Sequence, residues 1–153
     1  SATPTATRPP PTATATRRPF PTWTPRPRFT ATAVVLLAPP ALLDPPGGVT
    51  TAGVVTFRWQ PTGPLPAGAA YEVVWWNQGE NPSAARGIAP PTTGTSLSAN
   101  LDPLAGAGQF SSSQVFWSVL IVRTDPYVRL TRPDQGETRF VYYNAGAVPR
   151  PPK

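Results

Sequence analysis

The chain contains no cysteine, no histidine and no methionine. Without cysteine there is no disulfide framework and no thiolate chemistry; without histidine the commonest general base and most zinc sites go too. Charge is scarce as well, at 13% of residues, where a typical domain carries about a quarter. No apolar run approaches the roughly 18 residues that a membrane-spanning helix needs. The first residue is Ser1, not Met, so the chain reads as a processed product or a fragment, any signal peptide already removed.

What is present is proline, 24 residues in 153. Residues 1–32 are the extreme case, with ten Thr, eight Pro and five Arg but no acid. Such a segment cannot build a core, and polyproline II is its expected conformation. Its +5 accounts for most of the formal net charge of +6. The basic character therefore belongs to a tail. Its arginines are dispersed among Thr and Pro without a lysine cluster, which argues against nucleic acid as the partner.

The remainder reads as β. "AVVLLAPPALL" (33–43) is expected to be an edge strand broken at Pro39–Pro40, and "DPPGG" (44–48) a turn. "VVTFRW" (54–59), "YEVVWW" (71–76), "SLSANL" (96–101), "VFWSVLIV" (115–122) and "TRFVYY" (138–143) alternate as half-buried strands do, with Pro- and Gly-rich turns between them. The expectation is an all-β sandwich of about seven strands over 33–146, followed by a Pro-rich C-terminal tail at 147–153. Alternation sends Trp59, Trp75 and Trp117 into its core.

The run "LLAPPALLDPPGG…VTFRWQ…YEVVWW…VFWSV…RFVYY" resembles a bacterial extracellular immunoglobulin-like or fibronectin type III-like domain preceded by a Thr/Pro-rich stalk. The resemblance covers residues 34–143 and rests on the Trp of the second strand and the Tyr-x-Val of the third. The disulfide of antibody domains is missing. The resemblance implies an extracellular or cell-surface binding or structural module without catalysis.

The seven acids, Asp44, Glu72, Glu80, Asp102, Asp125, Asp134 and Glu137, lie mostly in turns, and their spacing suggests no converging carboxylate pair. No phosphate loop is present, since "AGAGQF" (105–110) does not lead from a strand into a helix. No enzyme, cofactor or metal site is expected. Glu72 is expected on a strand exterior as the solvated partner of a cross-strand arginine.

Two patterns point to assembly instead. Alternation exposes Val74 and Trp76 on one strand and Phe116 and Leu120 on another. If the two strands share a sheet, as the resemblance implies, these residues make a patch too apolar for ordinary solvent exposure. Either it is a docking surface or the 102–114 loop folds over it. In the tail, every third residue shares one edge of a polyproline II helix. Counting by threes from Arg8 places Arg17, Phe20, Trp23, Arg26 and Phe29 on a single edge. The tail, extended at about 3.1 Å per residue, is long enough to reach another copy.

The leading expectation is a homopolymeric extracellular filament, assembled head-to-tail by tails docking on neighbouring sandwiches. Threonines off the aromatic edge, namely Thr3, Thr5, Thr7, Thr12, Thr16, Thr22, Thr24, Thr30 and Thr32, are candidate O-glycosylation sites. The only near-sequon, "NPS" at 81–83, is blocked by its proline. Two alternatives stay open: a carbohydrate- or ligand-binding ectodomain using Trp76 as a stacking platform, and a basic-tailed adhesin.

Overall fold

The computed structural model describes residues 1–19 and 37–144. The chain divides between Ala33 and Val34 into two compact units. In the first, residues 1–19 form neither helix nor strand and all are exposed. Arg17, Thr3, Thr5, Thr7, Thr12 and Thr16 are among them. Phe20, Trp23, Arg26, Phe29, Thr22, Thr24, Thr30 and Thr32 lie outside the described residues, as does the expected C-terminal tail at 147–153.

The second unit is all-β apart from short helical turns. Its strands are β1 (Ala41–Asp44), β2 (Val49–Thr51), β3 (Val54–Gln60), β4 (Ala69–Asn77), β5 (Arg86–Gly87), β6 (Ser96–Asn100), β7 (Gln114–Thr124), β8 (Tyr127–Arg129) and β9 (Arg139–Tyr143). A one-turn helix α1 (Asp102–Gly106) and two 3-10 turns (Pro82–Ala84 and Pro133–Gln135) sit in the connections. The smaller sheet has three strands in the order β1-β3-β6. The larger has six, in the order β2-β9-β7-β4-β5 with β8 hairpinned onto β7. All pairings are antiparallel except β2 with β9.

The five long alternating segments all appear as strands, because period-2 patterning is the signal a half-buried strand carries. The core between the sheets is built from the inward residues: Val55, Phe57 and Trp59 of β3, Tyr71, Val73 and Trp75 of β4, and Val115, Trp117, Val119 and Ile121 of β7. Trp59, Trp75 and Trp117 are its largest members, each 1% exposed. Edge-to-face contacts of Phe57 with Trp117 at 4.9 Å and Trp59 with Tyr71 at 5.7 Å lock the layers together. Such pairs add roughly 0.5–1.5 kcal/mol beyond area burial. None of the three indole N–H groups finds an acceptor.

Of the "AVVLLAPPALL" segment expected as a broken edge strand, residues 33–36 lie outside the described residues. Leu37 packs against the core, and Ala41–Asp44 forms an edge strand on β3 of the same chain. β1 is fastened from the other sheet: the Leu42 N–H donates to Glu137 Oε2 at 2.9 Å, while Arg139 donates to the Leu42 and Leu43 carbonyls at 2.6 and 2.7 Å. Burial alone would push the Glu137 carboxyl up, but the Leu42 N–H and Arg139 outweigh it and hold it below its ordinary range.

Candidate functional site

The outer face of the larger sheet is the place to look, because a second apolar cluster lies there, back to back with the core. Ala70, Glu72, Val74 and Trp76 point to this face from β4. Opposite them, in the register Val74↔Ser118 and Trp76↔Phe116, stand Phe116, Ser118, Leu120 and Val122 of β7. The four residues expected to share a face therefore do share it.

They do not, however, form an open patch. Val74 and Leu120 are fully buried and Trp76 is 4% exposed, in a cluster with Val122 and Ala85. β4 is buried along its whole length for this reason. As sequence, "AAYEVVWWN" is the near-continuous apolar run expected of a strand covered on both faces. The expected exposure of Val74, Trp76 and Leu120 is thus corrected, and Trp76 offers no sugar platform of its own.

Nor does the 102–114 loop provide the cover. That loop caps the end of the core: Phe110 meets Trp75 at 4.9 Å and Tyr143 at 5.0 Å. Buried Asn77 ties it down by donating to the Gln109 carbonyl and accepting the Ser111 N–H, both at 3.0 Å. The cover comes instead from residues 78–88, which place Ala85 over the cluster.

Two polar clamps hold this flap. Arg86 makes paired hydrogen bonds to Glu80, 3.2 and 3.0 Å, and lies over the Trp75 ring, 5.0 Å from its centroid. Glu80 also accepts the Asn77 N–H at 3.0 Å. The Arg86 hydrogen bonds, then the Asn77 N–H, hold the Glu80 carboxyl down at about 2. On the far side Arg129 of β8 donates to the Ala85 carbonyl at 2.6 Å and to the Tyr127 hydroxyl at 3.1 Å. Tyr127 in turn donates to Glu72 at 2.5 Å. Burial and this bond push the Tyr127 hydroxyl up. Glu72, expected in solvent, is buried under Gly87, where an added Cβ would come within 2.7 Å of its Oε1. A groove of about 450 Å³ runs between the two 3-10 turns, walled by Pro82 and Pro133 with Arg129, Arg132, Ser83 and Asp134.

The flap stops at Trp76, and the aromatic surface does not. Trp76 stacks on half-buried Phe116 at 6.0 Å with 15° between planes. Phe116 meets Phe140 of β9 at 5.9 Å, and Phe140 meets Tyr142 at 5.6 Å. The row crosses three adjacent strands and grows more exposed toward Tyr142, which is 41% exposed. Beyond it, Gly47 has nothing within reach of an added Cβ, and Gly48 faces the Phe140 ring at 3.7 Å in a left-handed conformation (φ +81°) that favours glycine. Gly48 thus lies against half-buried Phe140 without placing a side chain on its ring.

Phe140 and Tyr142 were missed as surface residues, although their alternation with buried Val141 in "TRFVYY" carries the signal. No group of three or more acidic residues able to hold a metal ion occurs among the described residues, and no helix among them is long and apolar enough to cross a membrane. Compared with protein-family models, with curated proteins and with solved structures, the chain matches none.

Proposed function

We propose that this chain is the structural subunit of an extracellular homopolymeric filament, in which the Thr/Pro/Arg-rich tail of one copy docks on the outer sheet face of the next. The receiving surface is the Phe116–Phe140–Tyr142 row. This row carries the reading: an open aromatic platform is what polyproline-type peptides dock on, and the same chain carries a proline-rich segment with Phe20, Trp23 and Phe29 spaced by multiples of three. Arg17 and Arg26 lie in the same phase. The three-residue row Phe116, Phe140 and Tyr142 replaces the larger expected patch, of which Val74, Trp76 and Leu120 are buried.

The domain in this reading is immunoglobulin-like. What supports it is the way the first strand segment splits between sheets, β1 pairing β3 and β2 running parallel to β9. The exposed tail threonines Thr3, Thr5, Thr7, Thr12 and Thr16 suit O-glycosylation, which leaves the apolar edge free. A second reading is favoured by the same row, since aromatic platforms also stack sugar rings; the protein is then a carbohydrate-binding surface module.

The test is Tyr142→Ser in the full chain. Filaments seen by negative-stain microscopy for the wild type should be lost or much sparser, while the melting temperature hardly moves. Undiminished filaments from this variant remove the row as the receiver. Loss of binding to soluble oligosaccharides, with assembly intact, selects the carbohydrate reading instead.

A further inference from the structure

Along their strand orders the two sheets end in four described strands, β1, β6, β2 and β5, and three of these four are blunted. The β1 edge is occupied by side chains, because Glu137 takes the Leu42 N–H and Arg139 takes the Leu42 and Leu43 carbonyls. β2 and β5, the edges of the larger sheet, are three and two residues long. Short length and charged cover are the ordinary ways of preventing edge-to-edge pairing. β6 has neither. "SLSAN" is five residues with no charge and no proline.

The hydrogen-bond pattern identifies which β6 groups are left over. β3 and β6 pair without a bulge from Val54↔Asn100 to Arg58↔Ser96. Beyond the two ends of the ladder, Trp59 N–H donates to the Thr95 carbonyl at 3.1 Å and Leu101 N–H to the Gly53 carbonyl at 2.9 Å. Bonded positions alternate in an antiparallel pair, so residues 95, 97, 99 and 101 turn their backbone groups toward β3. Ser96, Ser98 and Asn100 turn theirs outward, where no described residue meets them, and all three residues are exposed.

We infer that β6 is a self-association edge, pairing antiparallel with β6 of a second copy about a two-fold axis through Ser98. The register follows from the strand itself. With Ser98 opposite Ser98 of the second copy, Ser96 of each copy stands opposite Asn100 of the other. Three outward donors per copy then find three outward acceptors on its mate, six bonds in all, and none is left over. On the inner face Leu97 of each copy meets Ala99 of the other, large against small, which covers two side chains that are only half-buried in the single copy.

Charge agrees. β6 carries no like charges to oppose one another across the axis. Its Ser96 end lies beside exposed Arg58, and its other end runs into Asp102. Arg58 is paired with Asp44 of β1 at 3.7 Å, and Asp102 accepts the Gly53 N–H and the Tyr143 hydroxyl at 2.9 and 2.6 Å. Both ends are thus satisfied within their own copy and leave no unpaired like charges at the axis. The result is one continuous sheet, β1-β3-β6 joined to β6-β3-β1. An isologous contact of this kind closes at two copies. It does not depend on the tail, so it pairs subunits whether or not tails chain them into fibres.

Because the chain lacks cysteine, single cysteines report the register directly. Full-length Ser98→Cys should form a disulfide dimer under mild oxidation, seen on a non-reducing gel, many-fold faster than Val54→Cys, which is exposed but lies on the neighbouring strand. Ser96→Cys should cross-link readily with Asn100→Cys in a mixture and poorly with itself. Ser98→Lys should halve the mass of the paired species in sedimentation, and mixing it with Ser98→Asp should restore it. The inference is overturned if Ser98→Cys links no faster than Val54→Cys, or if Ser98→Cys links instead to a cysteine at position 35 of the tail-proximal segment. Loss of filaments in Tyr142→Ser leaves the Ser98→Cys dimer intact, so the two proposals fail separately.

Discussion

Trp75 and Trp76 are adjacent in sequence, and both are buried, in two different apolar clusters. Trp75 belongs to the core between the sheets. Trp76 lies on the opposite face, beneath the flap. Removing either ring leaves a cavity that β4, hydrogen-bonded on both sides, has little freedom to close. Trp76→Ser should therefore cost about 3–5 kcal/mol, as Trp117→Ser should. Thermal unfolding should show comparable drops for the two, with Tyr142→Ser near wild type. A Trp76→Ser protein as stable as wild type would mean the flap is open in solution. The same pair of residues marks the limit of what alternation can tell. Period 2 assigned Trp75, Trp76, Phe116 and Leu120 to their correct faces. It could not tell which face meets water, because the cover is supplied by Ala85, brought there by the turn at 78–88 and not by any pattern around Trp76.

At the scale of elements, the five strands of five residues or more were legible, and β2, β5 and β8 were not. Two or three residues are too few to show a period, and those strands exist because tertiary neighbours offer a ladder: β9 for β2, β4 for β5 and β7 for β8. The flap between β4 and β6 likewise has no apolar signature and is held by ions. This makes it sensitive to acid. The Glu80 carboxyl is depressed to about 2, chiefly by hydrogen bonds from Arg86. A carboxylate with a lowered folded-state pKa stabilises the fold above its unfolded pKa, and that contribution fades as pH falls through the folded value. The clamp should thus be intact above about pH 4.5 and lost progressively toward pH 2. Glu80 is partly exposed and solvent screens the pair, so the contribution is of the order of 1 kcal/mol. Denaturant unfolding of wild type and Glu80→Gln should differ by about that much at pH 6 and converge near pH 2. Parallel curves across this range would show that Arg86 holds the flap without Glu80.

At the scale of the whole molecule, the described residues of the tail contribute no secondary structure. All residues from 1 to 19 are exposed, and the division into compact units falls at residues 33–34. The core, the flap clamps and the β1 fastening all lie between Leu37 and Asn144. Removing residues 1–32 should accordingly leave the melting temperature within a degree or two of wild type, while abolishing filaments. Trp23→Ala is the finer version of the same test. A large aromatic anchor in a docked peptide contributes about 2 kcal/mol, equivalent to a roughly 30-fold rise in critical concentration. That shift is read from the plateau of sedimentable protein against total protein. The two variants separate the ways in which the scheme can go wrong. If the shortened chain still polymerises, the connection between subunits lies in the sandwich, at a surface other than the β6 edge, because an isologous pairing there closes at two copies. If the shortened chain fails but Trp23→Ala polymerises at the wild-type concentration, the tail connects through its backbone and arginines. Its assembly should then weaken steeply with added salt, because exposed charge pairs are screened within about 10 Å at 0.1 M ionic strength. An aromatic junction gives the opposite salt response, holding or strengthening in sulfate as apolar burial does.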